Sequence, residues 1–466
     1  MIIVKLDMRR FSRPTIAGIG IVIILVAVLW LNHLLQLPHH NPLRPLPIEQ
    51  TDLRGSQPSG NLTITSPDVN PAAFKNQGDL AFIWQDLLYT LDGATGEVKQ
   101  LTESGQVSQP AWSHDGQWLA FIRVTDPQAG TGPLWLVRRD GSQAHQVQGL
   151  PGPVAGGAFS WSPTDNVLAV TQNGIWLVPA EGEPNRLSQS GACYLAWSPD
   201  GRSLAYNITL PSDEPQNRTD ALYTIAVDGG QPVERLTAPQ GGMLQVTAWW
   251  PDGKGLLYWS APVHSSSLAA DGLDLWSLRL GDTGPKLLTK GLTHKGWLSL
   301  SPQGNLLMVT GDWRIVWARK SLAAINPASG TVRDLKNPED CVAIDPAFSP
   351  DGRRIAFVAA KNLGDEVWGF DNDGELTDWV ATRTLWVQNL DGSGAYPLTD
   401  AGAGVFQPFW SIGGDHILYV RDNALWSIEP GGGKPEKVLG PFPEQKELFG
   451  FYGFVSYLDM MAWRQP

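Results

Sequence analysis

One short turn, repeated along the chain, limits the folds open to this sequence more than any other feature. The stretch AWSPDGRSLAY at 196–206 has close copies that begin at 111, 248 and 347. In Ser-Pro-Asp-Gly, proline presets φ at the second turn position, aspartate bonds to the local backbone, and glycine supplies a positive φ. Each copy therefore predicts two antiparallel strands joined by a tight turn.

Seven units of this kind follow one another. They centre on Trp112, Trp161, Trp197, Trp249, Leu300, Phe348 and Trp410. After each come an apolar strand, a hairpin such as LWLVRRDG, and a short strand such as RLT or PLT. The spacing of 36 to 62 residues is typical of a four-stranded propeller blade. The aromatic residue before the turn is expected to pack between blades.

The two ends of the chain predict how the ring closes. MMAW at 460–463 looks like the opening strand of a unit, and NQGDLAF at 76–82 looks like the remainder of one. Pairing them gives a composite blade and removes the edge strands of an open ring. The sequence thus predicts an all-β propeller of eight blades, with seven as the alternative because 299–346 matches the pattern poorly.

The units resemble the WD40-like PD40 repeats of TolB and of the propeller domains of the dipeptidyl peptidase IV and prolyl oligopeptidase families. The resemblance covers about 78–466 and, through TolB, implies a partner-binding role in the cell envelope. The peptidase families add a C-terminal α/β-hydrolase domain, whereas this chain ends with its propeller units and contains no G-x-S-x-G motif. We therefore expect a protein-binding or scaffolding module and no enzyme.

The N-terminal region predicts a membrane anchor. Basic residues in 1–14 precede an apolar stretch at 15–37 that is long enough to cross a bilayer. Positive charge on this side predicts a cytoplasmic N-terminus, which puts the propeller at 74–466 outside, in a periplasmic or extracellular space. A cleavable signal peptide is the alternative. Residues 38–73, rich in proline, are expected to form a linker.

Composition and motif spacing argue against several functions. A net charge of −12 disfavours nucleic acid, since phosphate binding needs a positive surface. His114, His145, His264, His294 and His416 are scattered and no two of them have a short metal-binding spacing. The glycines lie in turn motifs, so we expect no cofactor or metal. DNDGE at 371–375 only partly matches a calcium loop, because Val380 occupies the position that needs glutamate.

Long insertions are predicted on one face of the propeller, where strand two meets strand three and where blades join. They lie at 123–133, 209–220, 260–272, 361–381 and 441–459. These segments are acidic, and two of them carry aromatic residues that suit an interface. The candidate partner-binding residues are Trp368, Phe370, Asp371, Asp373, Trp379, Phe451 and Tyr452.

Other interpretations of these residues stay open. The aromatic side chains could equally fill the mouth of the central channel, in place of contacting a protein of the envelope. A carbohydrate- or peptide-binding propeller is the first alternative function. A lyase or hydrolase with its site in the channel is the second, and it would need converging His, Asp or Glu side chains on the innermost strands.

Overall fold

The computed structural model describes 66–466, with gaps at 190, 213, 215–217, 265–271, 283, 302, 368, 371–372, 403, 443–456 and 465–466. Within this part of the chain, 32 strands form eight four-stranded antiparallel sheets. The predicted all-β propeller is therefore confirmed, with eight blades and not seven. No helix among the described residues is long and apolar enough to span a membrane, and the predicted anchor at 15–37 lies outside them.

The strands follow the chain in groups of four, after a 3-10 turn at Pro71–Phe74. Blade 8 begins the described region with β1 (Asp79–Trp84), β2 (Leu87–Asp92) and β3 (Val98–Gln100). Blade 1 contains β4 (Gln106–Trp112), β5 (Trp118–Val124), β6 (Leu134–Arg138) and β7 (His145–Gln146). Blade 2 contains β8 (Phe159–Trp161), β9 (Val167–Thr171), β10 (Ile175–Pro179) and β11 (Asn185–Ser188).

Blades 3 to 5 continue the same order. Blade 3 contains β12 (Ala192–Trp197), β13 (Ser203–Leu210), β14 (Thr219–Ala226) and β15 (Val233–Thr237). Blade 4 contains β16 (Met243–Trp249), β17 (Gly255–Ala261), β18 (Leu273–Arg279) and β19 (Lys286–Gly291). Blade 5 contains β20 (Leu298–Leu300), β21 (Leu306–Thr310), β22 (Ser321–Asn326) and β23 (Thr331–Asp334).

The last blades add one helix and the closing strand. Blade 6 contains β24 (Cys341–Phe348), β25 (Arg354–Lys361), α1 (Asp373–Ala381), β26 (Thr384–Asn389) and β27 (Tyr396–Pro397). Blade 7 contains β28 (Val405–Trp410), β29 (Ile417–Arg421), β30 (Ala424–Ile428) and β31 (Glu436–Leu439). Blade 8 is completed by β32 (Met461–Arg464).

The first strand of each blade lies innermost. First strands of neighbouring blades contact one another, as β12 contacts β16 and β24 contacts β28. Fourth strands are the most exposed, and every residue of β7 and β23 is exposed. Second strands such as β1 and β25 are almost wholly buried, because neighbouring blades cover both of their faces. The walls of the central channel are therefore built from first strands.

The composite blade forms as predicted. In it, β32 pairs with β1, from Met461 opposite Phe82 to Arg464 opposite Asp79. The Arg464 guanidinium donates to the Asp79 carboxylate at 3.1 Å and to the Asp115 carbonyl of blade 1 at 3.1 Å. The last strand thus joins both neighbours of the seam, which leaves the ring without an unpaired inner edge.

The repeated turn has the expected chemistry. In blade 1, Ser113 Oγ donates to Asp115 Oδ1 at 2.7 Å and accepts from the Trp118 amide at 3.0 Å. Gly116 closes the turn with a φ of 69°. The same serine–aspartate bond recurs at Ser198, Ser349 and Ser411. A side chain therefore satisfies the turn's backbone groups in each case, which fixes the strand register.

The tryptophan before the turn joins neighbouring blades, as predicted. Its indole N–H donates to a first-strand carbonyl of the preceding blade. The bonds run from Trp112 to Ala462, Trp161 to Ala111, Trp197 to Ser160, Trp249 to Ala196 and Trp410 to Ala347, at 3.0 to 3.2 Å. These tryptophans therefore stabilise the propeller in two ways. Each packs a large apolar ring between blades, and each indole N–H donates a hydrogen bond across the blade interface.

Candidate functional site

Long connections leave one end of the ring, here called the loop-rich face; the opposite end, the short-turn face, carries the repeated turns. The longest links between second and third strands lie at 125–133, 211–218, 262–272, 311–320 and 362–383. The segment 440–460, which precedes β32, starts from the same face. The sequence pattern did not identify 311–320, because blade 5 departs from the repeat, with Leu300 in place of the turn aromatic and Gln303 in place of the aspartate.

An aromatic cluster fixes the largest insertion. The Trp317 ring lies 4.4 Å from that of Phe370 and 6.0 Å from that of Trp379, between centroids. The Trp317 indole donates to the Val367 carbonyl at 2.8 Å, and the Trp379 indole donates to the Lys361 carbonyl at 2.9 Å. The 311–320 link of blade 5 and the 362–383 link of blade 6 therefore share one small core.

The predicted aromatic anchors fall into two groups. Trp379 is 2% exposed, so it holds α1 in place and does not offer a surface contact. Phe370 is half-buried against Trp317. Asp373 begins α1, and its side chain is not described. Four of the predicted residues lie outside the described part of the chain: Trp368, Asp371, Phe451 and Tyr452.

Acidic side chains remain on the surface of this insertion. Glu366 and Asp378 are exposed. Asp365 forms a two-pronged ion pair with Arg319 of the neighbouring link, and this hydrogen bonding lowers the pKa of the Asp365 carboxyl. By contrast, Asp220 is only 2% exposed and accepts hydrogen bonds from Thr209 and from the Leu244 amide. Glu366 and Asp378 beside α1 are therefore accessible, whereas Asp220 is not.

A buried network joins blades 5 to 8 along the inner wall. Asp345 Oδ1 accepts from the Trp297 indole at 2.8 Å, and Oδ2 accepts from the Gln407 amide at 3.3 Å. Gln407 Oε1 in turn accepts from the Tyr457 amide at 2.7 Å. Burial raises the pKa of Asp345, and the Arg383 charge opposes that rise. The same carboxylate therefore ties blade 6 to both of its neighbours.

Arg383 supplies the positive charge of this network. It is 2% exposed, and burial lowers its pKa to about 10. Its guanidinium lies 4.6 Å from the Trp379 ring centroid and 4.5 Å from that of Phe406. These aromatic faces partly replace the water that the cation loses. Arg383 thereby couples α1 to the inner wall.

The network uses a backbone feature that recurs around the ring. Three residues before the turn aromatic, Gln109, Tyr194, Asp345 and Gln407 have positive φ values of 43° to 54°, each within a bulge of the first strand. Gln109, Asp345 and Gln407 each accept a hydrogen bond from a backbone amide of the next blade. The strained backbone is therefore used to join blades.

Tyr194 is the exception. It lies on the innermost strand of blade 3 and is 46% exposed. Burial nevertheless raises the pKa of its phenol, followed by the charges of Cys193 and Asp220. Both properties are typical of a side chain that lines a water-filled channel. No hydrogen bond from Tyr194 to blade 4 is present among the described residues, so this strained residue does not connect two blades.

The loop-rich end of the channel is bridged. Lys295 Nζ, from the link between blades 4 and 5, donates to Asp459 Oδ1 of blade 8 at 2.6 Å. The Asp459 carbonyl also accepts from the Gln109 amide of blade 1 at 3.1 Å. Because blades 5 and 8 are not neighbours in the ring, this contact spans the channel mouth.

Two more titratable groups lie behind the bridge. His294 packs edge-on against Trp297, with 4.7 Å between ring centroids. Burial lowers its pKa to about 4, and the Lys320 charge adds to the effect. Lys320 is 1% exposed, donates to the carbonyls of Trp313 and Ala318, and has a pKa lowered by burial to about 8. These contacts hold 311–320 in place.

In the described part of the chain, no three His, Cys, Asp or Glu side chains converge in a way that could hold a metal ion. Cys193 and Cys341 are free thiols on the first strands of blades 3 and 6. Burial raises the pKa of Cys193 to about 11, so the thiol carries no thiolate at neutral pH.

Comparison with known proteins gives relatives at low identity. No protein-family model matches the chain. A probable dipeptidyl-peptidase 5 of Emericella nidulans is 26% identical over 343 residues, which is 72% of this chain and 39% of that protein. The chain thus spans well under half the length of this relative.

Solved structures give the same architecture. Dipeptidyl peptidase 4 of Porphyromonas gingivalis matches with a TM-score of 0.56 at 11% identity, covering 81% of this chain and 59% of that one. TolB from Acinetobacter baumannii matches with a TM-score of 0.35 at 17% identity, covering 72% and 67%. The match to dipeptidyl peptidase 4 shows the fold: the chain is an all-β propeller similar to the one in that structure. TolB is among the solved structures that resemble it.

Proposed function

We propose that this chain is a membrane-anchored propeller that binds a protein partner of the cell envelope through its loop-rich face. The main support is that all of the longest links between second and third strands lie on this one face. Insertions restricted to one face of a repeat fold are typical of a binding surface. The opposite face keeps only short turns.

The form of this face favours a macromolecule over a small ligand. The Lys295–Asp459 bridge crosses the channel mouth there, and Trp379 and Arg383 are buried beneath α1. What remains accessible is a broad acidic surface that includes Glu366 and Asp378. A stable protein interface needs about 800 Å² from each partner, which a broad face can supply. A partner with a basic patch would complement it.

Rigidity is the second argument for a binding role. The indole bonds and the side chains of Asp345 and Gln407 tie each of these blades to its neighbour. Loops held on such a scaffold lose little entropy when they bind. In this proposal the apolar segment 15–37 keeps the propeller at the outer side of the cytoplasmic membrane.

Charge reversal on the two faces tests the proposal. We would express the full-length chain in its native host, cross-link intact cells, and identify what co-purifies by mass spectrometry. The Glu366→Lys, Asp378→Lys double variant should lose at least tenfold of a recovered envelope protein, since two opposite charges become repulsive. The matched control, Asp228→Lys with Asp282→Lys, changes two exposed aspartates in hairpin turns of the short-turn face.

Equal recovery of the same partner by both double variants would contradict a loop-rich binding face. Recovery of nothing above background by the wild type would contradict a stable protein partner. Both variants change only exposed side chains, so circular dichroism and a melting curve that match the wild type establish that the fold is intact.

A further inference from the structure

We infer that the channel mouth on the short-turn face binds a neutral saccharide. This site lies on the opposite face from the proposed protein interface and does not depend on it. A cavity of about 490 Å³ opens there between blades 2 and 5. Its walls are the ends of the first strands and the turns that follow them. Small-ligand sites commonly have volumes of about 300–1,000 Å³.

The cavity is uncharged although the chain carries a net charge of −12. None of the eleven residues that line it is ionisable. They include the apolar side chains of Trp197, Trp249 and Leu300 and the hydroxyl-bearing residues Ser160, Thr247 and Ser301, of which Ser301 is only 1% exposed. A charged ligand would lose hydration here without gaining a partner of opposite charge, so a neutral ligand is favoured.

Tryptophan contributes a ring face to this cavity and no donor. The indole N–H groups of Trp197 and Trp249 are already given to the carbonyls of Ser160 and Ala196. A proline-rich peptide needs donors for the carbonyls between its rings, and these indoles cannot supply them. A saccharide can place its C–H face on Trp197, which is half-buried and therefore accessible.

Hydroxyl groups supply the polar complement. Thr247 is the bulge residue of β16 and has no paired residue in β17. Its side chain is partly exposed at the cavity wall. Serine and threonine hydroxyls both donate and accept, as sugar hydroxyls do, so the two sets can bond in either direction.

Titration of the full-length protein with defined sugars tests the inference. Cellotetraose, maltotetraose and chitotetraose would each be followed by tryptophan fluorescence and by calorimetry. We expect at least one to saturate with a Kd below about 1 mM. Thr247→Val should weaken that binding about fivefold through loss of one hydrogen bond.

Thr289→Val is the matched control, because Thr289 lies on the outer strand of the same blade and is also partly buried. It should leave the Kd unchanged. No saturation by any of the three sugars, tighter binding of decaproline than of each sugar, or equal weakening by Thr247→Val and Thr289→Val would each overturn the inference.

Discussion

Blades 3 and 6 use the same strained position on their first strands in different ways. Asp345 of blade 6 has a φ of 49° and accepts hydrogen bonds from both neighbouring blades. Tyr194 of blade 3 has a φ of 54° and presents a half-exposed ring to the channel. A left-handed backbone costs about 1–2 kcal/mol in each case. In blade 6 hydrogen bonds between blades offset this cost, whereas in blade 3 the strained residue presents an accessible aromatic ring.

The contrast extends to the whole inner wall. Blades 5 to 8 form a sector filled by the Asp345–Arg383 network, while blades 2 to 5 border an uncharged cavity. A propeller that supports a binding surface needs stiffness under that surface, and α1 lies over the filled sector through Arg383 and Trp379. Tryptophan bonds join the blades of the open sector, and one also joins blades 6 and 7 in the filled sector.

Removing the Asp345 carboxylate should give the largest effect on stability. Asp345→Ala leaves Arg383 buried without its counter-charge, and we expect it to lower the free energy of unfolding by about 3–5 kcal/mol. Tyr194→Ala, at the equivalent position of blade 3, should lower it by less than about 1 kcal/mol, because the exposed ring buries little area. Urea denaturation of both variants measures the difference. Equal losses of the free energy of unfolding would contradict the view that this position connects blades in blade 6 but not in blade 3.

Acid should weaken the filled sector through His294. Its folded-state pKa of about 4 lies below the ordinary histidine pKa of 6.5, so the unfolded chain takes up a proton first as the pH falls. The stabilisation is present above pH 6.5 and is lost as the pH falls toward 4. The free energy of unfolding should therefore fall by about 2–3 kcal/mol over this window.

His294→Phe keeps the edge contact with Trp297 and removes the titration. The wild type should lose more stability than this variant between pH 6.5 and pH 4.5, within the window of the shifted pKa. His114→Phe, at an exposed histidine in a turn, is the control and should keep the wild-type pH dependence. A His294→Phe profile parallel to that of the wild type would mean that this imidazole does not stay neutral in the folded protein.

Local chemistry made most of the fold predictable. Ser-Pro-Asp-Gly determines a turn by itself, and its repetition determines the blade, so strands and faces followed from the sequence. The composite blade was predictable because MMAW at 460–463 carries half of the same pattern. Blade 5 was the hardest to recognise, since Leu300 replaces the aromatic residue and its link at 311–320 has no motif.

The candidate site was less predictable for a physical reason. Trp379 looked like a surface anchor, but it is buried against Trp317 from the neighbouring blade, a contact that no local pattern predicts. Asp345, Gln407 and Tyr194 gave no signal because a bulge in a first strand has no sequence signature comparable to a turn. Contacts between non-adjacent segments, such as Lys295 with Asp459, arise only when the ring closes.

Site-specific photo-cross-linking in living cells tests whether a protein partner binds the loop-rich face. A photoreactive amino acid would replace Glu366 or Asp378 on the loop-rich face, and Asp228 or Asp282 on the short-turn face, in the full-length chain. We expect a discrete cross-linked species from Glu366 and Asp378 that is absent from the other two positions. The same species from all four positions, or from Asp228 and Asp282 alone, would contradict it.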